Sequence, residues 1–517
     1  MATSGFFAVA DAEPDRRAVI DPDERVVSYG ELAGAANRIA RGLLAAGVRA
    51  DETVAVMMQN SVELLAVYAA TVQIGCWFVI VNWHLTVDEV AYILDDAGAK
   101  VLVVDAVGAA AAEAAADLAG VPTEMRFCTN EHRGFRPFAA LSTGHSGDAL
   151  DERRAGQIMF YTSGTTGRPK GVRKRFGEVA PHEVGLSSGI GLLQRAPFDP
   201  ANDDVHLVGG PLYHAAPIAG AAITLDAGAT LVLMRRWTPE RWLELVDRYG
   251  VTHASMVPTM FHRLLALPAG TRAATDVSSL RAVSHAGAPC AVELKFRMLD
   301  WLGPIITESY SATEGAGTTV TAAEWLERPG TVGRPSPGVT VRILDDAGAE
   351  CPRGEEGVVY LSQTLWEFEY HHDATKTAEQ RRDDLFTVGD IGYLDDDGYL
   401  FLCDRQAEVI VSGGVNIYPA EVEARLLAHP AVGDAAVIGV PDDEWGEQVR
   451  GLVELASTAT ADDDLERELV AWCRDGIAHF KCPRRIDFVA SIGRDPNGKV
   501  RKAHLRAPYW EGRTRRI

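Results

Sequence analysis

Cysteine is scarce in this sequence, and what there is falls into no pattern: the seven, at 76, 128, 290, 351, 403, 473 and 482, are odd in number, scattered and without a CxxC pair. That excludes a zinc ribbon and a disulfide framework, and it predicts reduced thiols in a cytoplasmic protein. Basic residues are also in short supply. Fifty Lys and Arg stand against 72 Asp and Glu, and the formal net charge of -22 repels phosphate backbones and anionic bilayers, so nucleic acid is not expected as a partner. No signal peptide is expected either, since MATSGFFAVADAEPDRR has no basic region followed by a long apolar one. The longest apolar run, Leu64 to Val81 (LLAVYAATVQIGCWFVIV), is interrupted by Thr71, Gln73 and Gly75 and turns β-branched and aromatic in its second half. It predicts a buried helix, a turn at Gly75 and a buried strand, with no membrane span.

What is present is ample material for several cores. The chain has 517 residues, 47% of them hydrophobic, and at about 150 residues per domain this predicts roughly three folding units. Short apolar runs (Thr53 to Met58, Lys100 to Asp105, Thr230 to Met234, Ala254 to Val257) alternate with amphipathic or Ala-rich helical stretches such as Glu31 to Ala46, Ala109 to Ala116 and Pro239 to Tyr249. That alternation is the pattern of α/β layers on mostly parallel sheets. From Thr331 to Leu402 the pattern changes to short β runs (VTVRIL, EGVVYL, GYLFL) separated by DDAG, RGEEG and DDDG, which read as hairpin turns. After Asp404 it changes again: an apolar run to Ser412, a Gly413–Gly414 break, a helix opened by Pro419, a strand at 435–440 and a helix from Asp464 to Ala478. The expected domains are 1–404 and a small α+β unit, 405–517.

Residues 161–171, YTSGTTGRPKG, follow the apolar Ile158, Met159 and Phe160. Glycine lets backbone N–H groups turn inward, Thr162, Ser163, Thr165 and Thr166 add hydroxyls, and Lys170 adds a cation, so Thr162, Ser163, Gly164, Thr165, Thr166, Gly167 and Lys170 suit phosphate oxygens. The Walker pattern is absent: Arg168 and Pro169 stand between the second glycine and the lysine, and no helix-forming run follows. A Gly/Ser/Thr cluster taken alone is more often a polar hairpin loop.

The stretch has companions. GAP at 287–289, YSATEG at 310–315, FTVGD at 386–390, DRQAEVIVSGGVNIYPAEVE at 404–423 and PNGK at 496–499 follow in order. Together with the loop they closely resemble the adenylate-forming superfamily of acyl-CoA synthetases, peptide-synthetase adenylation domains and luciferases. The resemblance spans almost the whole chain. It implies a large N-terminal domain of two α/β layered subdomains plus a β-barrel-like subdomain, and a small mobile α+β C-terminal domain. It also implies an acid–thiol ligase that joins a carboxylic acid to AMP, releases pyrophosphate, and passes the acyl group to coenzyme A.

By the same resemblance, Glu314 binds Mg2+ and Thr313 touches the α-phosphate or the acyl oxygen. Tyr310, Gly287, Ala288 and Pro289 line the adenine pocket, and Asp390, with Arg405 nearby, holds the ribose. Lys499 is the catalytic cation, carried by the small domain. His214 in PLYHAAP, with Ser311 and Ala312, lines the acyl pocket, to which Phe176, Ala216 and Ser284 are further contributors. Ser412, Gly413 and Gly414 line the coenzyme A tunnel. Each of these residue types in isolation is more often a surface charge or a core aromatic; their joint spacing is what favours the functional reading.

Two positions depart from the resemblance. The hinge residue, commonly Asp or Lys, is Ala407, which can rotate but cannot make the polar contacts that stabilise one orientation. Ser311 replaces a common glycine beside the acyl pocket. Ala407 keeps open a ligase that hands its acyl-AMP to a carrier protein or a separate thiolating enzyme, and a nucleotide-binding regulator without turnover is a further alternative. The mostly small or apolar pocket residues favour a hydrophobic acid, fatty or polycyclic, over an amino acid. A homodimer stays open.

Overall fold

The structure, a computed structural model, describes residues 5–162, 169–175, 198, 203–315, 317–363, 367–413, 415–442, 444–457, 459–495 and 498–511. The loop residues Ser163, Gly164, Thr165, Thr166 and Gly167, the pocket residue Phe176 and the tunnel residue Gly414 lie outside the described residues.

Helix starts are written locally in side-chain chemistry. Ser28 accepts from the Glu31 amide while the Glu31 carboxylate accepts from the Ser28 amide, closing a capping box at the head of Tyr29–Ala45. Thr86 and Glu89 do the same for Val87–Asp96. Thr238 caps Pro239–Tyr249, whose proline stands in the first turn and whose chain leaves through Gly250 in the left-handed region. The run 64–81 resolves into the helix Val62–Gln73, a turn through Gly75 at φ 77°, and the strand Trp77–Ile80. Gly75 has no room for a side chain, because a Cβ there would lie 2.9 Å from Arg154.

Three sheets organise the chain. In an eight-stranded sheet, Trp77–Ile80 pairs in parallel with Thr53–Met57 and Gln157–Thr162; the last of these turns back antiparallel into Lys170–Arg175, which pairs in turn with Glu367–Tyr370. In a fifteen-stranded sheet, Arg17–Ile20, Thr230–Leu233, Val205–Val208, His253–Met256, Ala282–His285 and Ile306–Tyr310 lie parallel and adjacent. The sheet continues through Thr318–Val320 and Thr331–Pro335 into the antiparallel strands of the 331–402 region. The β-rich segment is thus hydrogen-bonded to the α/β sheet along one edge. Parallel strands covered on both faces should be continuously apolar: Thr53–Met57 and Thr230–Leu233 are buried at every position.

A five-stranded sheet built from Ile410–Ser412, Val415–Ile417, Val432–Asp442, Gly446–Leu455 and Arg485–Phe488 packs Val422, Leu426, Leu469 and Cys473 from two helices into its own core. A turn over 406–408 separates it from the strand Leu400–Arg405 of the large sheet. All seven cysteines are free. No helix among the described residues is long and apolar enough to cross a membrane.

Candidate active site

Parallel sheets present their loops at the carboxyl ends of the strands, and in open α/β folds the crevice outside those ends is where ligands go. Two of the motifs leave adjacent strands there: 286–289 follows Ala282–His285, and 311–315 follows Ile306–Tyr310, with Ser284 paired to Thr307 and His285 to Glu308. Gly287, at φ 87°, turns the first loop, leaving Gly287 and Pro289 exposed and Ala288 half-buried. The second loop closes on itself through reciprocal backbone bonds between Ala312 and Gly315 (3.0 and 3.2 Å), with Thr313 half-buried, Ser311 exposed and Glu314 buried.

Two carboxylates anchor the crevice. The Tyr310 hydroxyl donates to Asp390 Oδ2 at 2.6 Å, and Arg405 Nε lies 3.3 Å from Asp390 Oδ1, the two residues facing each other across paired strands. Asp390 is buried, and each oxygen keeps a further lone pair for a donor from a ligand. Glu314 Oε1 accepts from the Tyr370 hydroxyl at 2.8 Å, and Gln363 holds the Glu314 carbonyl at 3.3 Å. The same Tyr370 ring carries Lys170 Nζ over it at 5.1 Å. Lys170 pairs in register with Thr162, so the two described ends of the signature stretch are hydrogen-bonded strand neighbours. That stretch is therefore the connection of an antiparallel hairpin. Burial draws the Lys170 ammonium below the ordinary lysine range, and burial draws the neighbouring Lys174 down to about 8 against the pull of Glu314.

From the small domain Lys499 arrives in this crevice. Its pKa is lowered chiefly by burial and next by the Arg405 guanidinium, while Asp495, Glu314 and Asp390 oppose the shift, which places it within electrostatic reach of both anchoring carboxylates. The residue as a whole is nonetheless exposed. The turn that carries it is tightly made: the Lys499 amide donates to Asp495 Oδ1 at 2.9 Å, Gly498 to Asp495 O at 2.8 Å, and Arg494 donates to Gly498 O at 2.8 Å while gripping Asp434 with two bonds of 2.6 and 2.8 Å. Gly498, at φ 78°, lies flat against the large domain; a Cβ there would meet Thr259 Oγ1 at 2.5 Å.

His214 is the residue before the helix Ala215–Asp226, and its Nε2 is buried with no hydrogen-bond partner among the described residues. Burial first, then the Lys499 cation and His84, lower its pKa to about 3, so the ring is neutral at physiological pH. Ser284 is engaged beneath the crevice by Ser255 (3.3 Å), which in turn bonds His206 Nε2 at 2.8 Å. Ala216 is exposed and Ala312 half-buried. Ser412 and Gly413 are placed elsewhere: Gly413 donates to Trp445 O at 2.8 Å and its α-carbon faces the Trp445 ring, while Ser412 pairs with Gly446. Neither shares a hydrogen bond with the crevice residues among those described. Ala407 is exposed in the 406–408 turn.

With this geometry in place, comparison with known proteins is decisive. The family described as "AMP-binding enzyme" matches residues 6–366, well over half of the chain. The chain is an AMP-binding enzyme. Its small domain matches "AMP-binding enzyme C-terminal domain" over residues 421–499. A feruloyl-CoA synthase from Amycolatopsis sp is 35% identical over 508 residues, covering 96% of this chain and 98% of the relative. A fatty acid–[acyl-carrier-protein] ligase, ScoC, from Streptomyces coeruleorubidus is 32% identical, covering 100% and 97%. The solved structure of o-succinylbenzoate coenzyme A synthetase from Bacillus subtilis with ATP and a magnesium ion aligns with a TM-score of 0.81 at 27% identity, covering 97% of this chain and 98% of that one. This AMP-binding enzyme is an acid–thiol ligase of the AMP-forming acyl-CoA synthetase kind.

The crevice also contains side chains that sequence reading passed over. Tyr370, Gln363 and Lys174 around Glu314, Thr259 beneath Gly498, and Arg494 with Asp434 behind Lys499 all act across long sequence separations. A single sequence holds no signal for such pairs beyond the strand pattern of EFEY.

Proposed function

We propose that this enzyme activates a hydrophobic carboxylic acid with ATP, forming acyl-AMP and pyrophosphate, and then transfers the acyl group to the thiol of coenzyme A. What supports the reading is Lys499, whose ammonium feels the charges of Arg405, Asp390 and Glu314. In the first step a carboxylate oxygen of the acid bonds to the α-phosphorus as the bond to the pyrophosphate oxygen breaks. Negative charge accumulates on the α-phosphate oxygens, so a preorganised cation there lowers the barrier. Lys499 supplies it, Thr313 donates its hydroxyl, and the 162–170 stretch receives the β- and γ-phosphates. Asp390, oriented by Tyr310 and Arg405, accepts from the ribose hydroxyls; Tyr310, Gly287, Ala288 and Pro289 hold the adenine.

Glu314 suits a hard divalent cation: it is a buried carboxylate with one oxygen oriented by Tyr370 and the other making no hydrogen bond to a described residue. Bound Mg2+ supplies charge neutralisation on the phosphates. His214, neutral and with an unpartnered nitrogen, lines the acyl pocket together with Ser311 and Ala312. We place the pivot at Ala407, between a large unit ending at 404 and a small unit beginning at 405. Rotation there would exchange Lys499 for the Ser412–Gly414 stretch and admit the pantetheine thiol.

Pyrophosphate release across a panel of acids tests the reading. Release with bulky hydrophobic or aromatic acids, followed by CoA-dependent AMP release, supports it; preference for acetate or an amino acid defeats the substrate assignment. A second reading rests on Ala407 and on the carrier-protein ligase among the relatives: the acyl group goes to a carrier protein instead of free coenzyme A. Acyl-CoA formation from supplied acyl-AMP as fast as adenylation removes that option.

A further inference from the structure

Directly after Tyr370 the chain carries two adjacent histidines, and they meet the end of a helix beside the eight-stranded sheet. His371 and His372 stack at 3.7 Å between ring centroids, and Asp96, the last residue of Val87–Asp96, stands against both. One ligand atom from each of the three lies within 4.8 Å of the other two. His372 Nδ1 is 3.8 Å from Asp96 Oδ1, too long for a hydrogen bond.

The groups around these three side chains orient them as outer partners orient metal ligands. The Tyr161 hydroxyl donates to Asp96 Oδ2 at 2.6 Å, which fixes the carboxylate and leaves Oδ1 directed at His372. His371 Nε2 lies 2.9 Å from the Asp96 carbonyl oxygen; a carbonyl only accepts, so Nε2 carries the hydrogen and Nδ1 the lone pair. An imidazole that gives its second N–H to a backbone carbonyl is the common arrangement of a metal-bound histidine. His372 sits in the left-handed region at φ 55°, which turns its ring back toward its neighbour. Arg173, the nearby cation lining the same hollow, is drawn aside over the Trp77 ring at 4.7 Å.

We propose that Asp96, His371 and His372 form a metal site for a borderline transition ion of the zinc class, separate from the Glu314 carboxylate. Two imidazoles and one carboxylate select such an ion over Mg2+, which takes oxygen ligands and keeps its waters. Bonds of about 2.0–2.1 Å to a tetrahedral centre put ligand atoms about 3.3 Å apart. Rotation of the exposed His372 ring closes the present spacing, and water completes the coordination. The ion would tie together three segments: the helix end at Asp96, the strand neighbour Tyr161, and the 371–372 corner, whose His371 amide bonds Gly171 O at 2.7 Å. Tyr161 and Gly171 are paired residues of the hairpin that flanks the signature loop. Occupancy would therefore brace the base of that hairpin.

The test is titration of metal-stripped full-length protein with Co2+, followed by its visible absorption, and with Zn2+ in competition with a chromophoric chelator, both in saturating Mg2+. The expected result is one ion per chain, not displaced by Mg2+, with a rise in melting temperature on Zn2+ addition. His372→Asn, whose side chain tolerates the left-handed backbone, and Asp96→Asn, which can still accept from Tyr161, should each weaken binding about tenfold or more and abolish the thermal shift. Less than one ion per chain in the unaltered protein, or binding of equal strength in both variants, overturns the proposal; the latter would assign the ion to cysteines elsewhere.

Discussion

Tyr370 shows how a single hydroxyl reaches into the chemistry. It fixes one oxygen of Glu314, the carboxylate proposed to hold Mg2+, and groups of this kind behind a metal-binding carboxylate commonly contribute about 10-fold or more in metal affinity. Tyr370→Phe should therefore raise the Mg2+ concentration for half-maximal pyrophosphate release by about tenfold, with a smaller change at saturating Mg2+. An unchanged Mg2+ curve would remove Glu314 from the metal's surroundings. Lys499 makes a pH prediction of definite sign. On the proposed mechanism its ammonium is the working form, and burial together with Arg405 lowers its pKa, so adenylation should fall on the alkaline side before an ordinary lysine would titrate. Lys499→Arg, which stays charged, should lack that fall even if its maximum rate is lower. A variant showing the same alkaline limb would assign the titration to another group.

At the scale of elements, the N-terminal helix Phe6–Ala12 is pinned to the large domain through Asp226, whose Oδ1 accepts from the Phe6 amide at 3.0 Å. Burial raises the Asp226 pKa to about 7, the amide bond opposing. The folded state thus keeps this proton over a range in which the unfolded chain, with an ordinary value near 4, has lost it. The contribution of Asp226 to stability should then fall as pH rises from about 4 to about 7, by up to ~4 kcal/mol, and stay low above that. Asp226→Asn should stabilise the protein more at pH 8 than at pH 5 in urea unfolding; equal gains at both would show that Asp226 ionises normally. The elements themselves were largely legible. Pro239–Tyr249 forms a helix over the range the sequence predicts, and the 64–81 run divides at Gly75. Periodicity and capping are local, so one sequence suffices for them. What it could not supply was the joining of the 331–402 strands to the α/β sheet, made where Thr318 pairs with Pro335 and Thr319 with Arg334, a pairing that the turn and strand patterns of the segment do not encode. Among the site residues, the motif positions Tyr310, Glu314 and Asp390 converge, while their partners Tyr370 and Gln363 lay outside any motif.

The whole molecule is poised with its small domain closed on the large one. Gly498 rests on Thr259, Arg501 approaches Glu89 at 4.0 Å, and Lys499 stands over the crevice, whereas the Ser412–Gly413 hairpin packs on Trp445 within the small domain. Gly498 is required twice, for its left-handed backbone and for the closeness of Thr259. Gly498→Ala should lower adenylation by about tenfold or more, since a left-handed alanine alone costs about 1–2 kcal/mol. Thioester formation from supplied acyl-AMP, which needs the other orientation, should change little. The same separation of half-reactions gives the most direct test of the account. Acid-dependent pyrophosphate release and acyl-CoA formation from supplied acyl-AMP should be measured side by side in the unaltered enzyme and in Lys499→Ala. The account predicts that the variant loses pyrophosphate release by about 100-fold or more, the usual cost of a preorganised charge at a developing anion, while thioester formation stays within a few-fold. Equal losses in both reactions, or no loss in either, would contradict it.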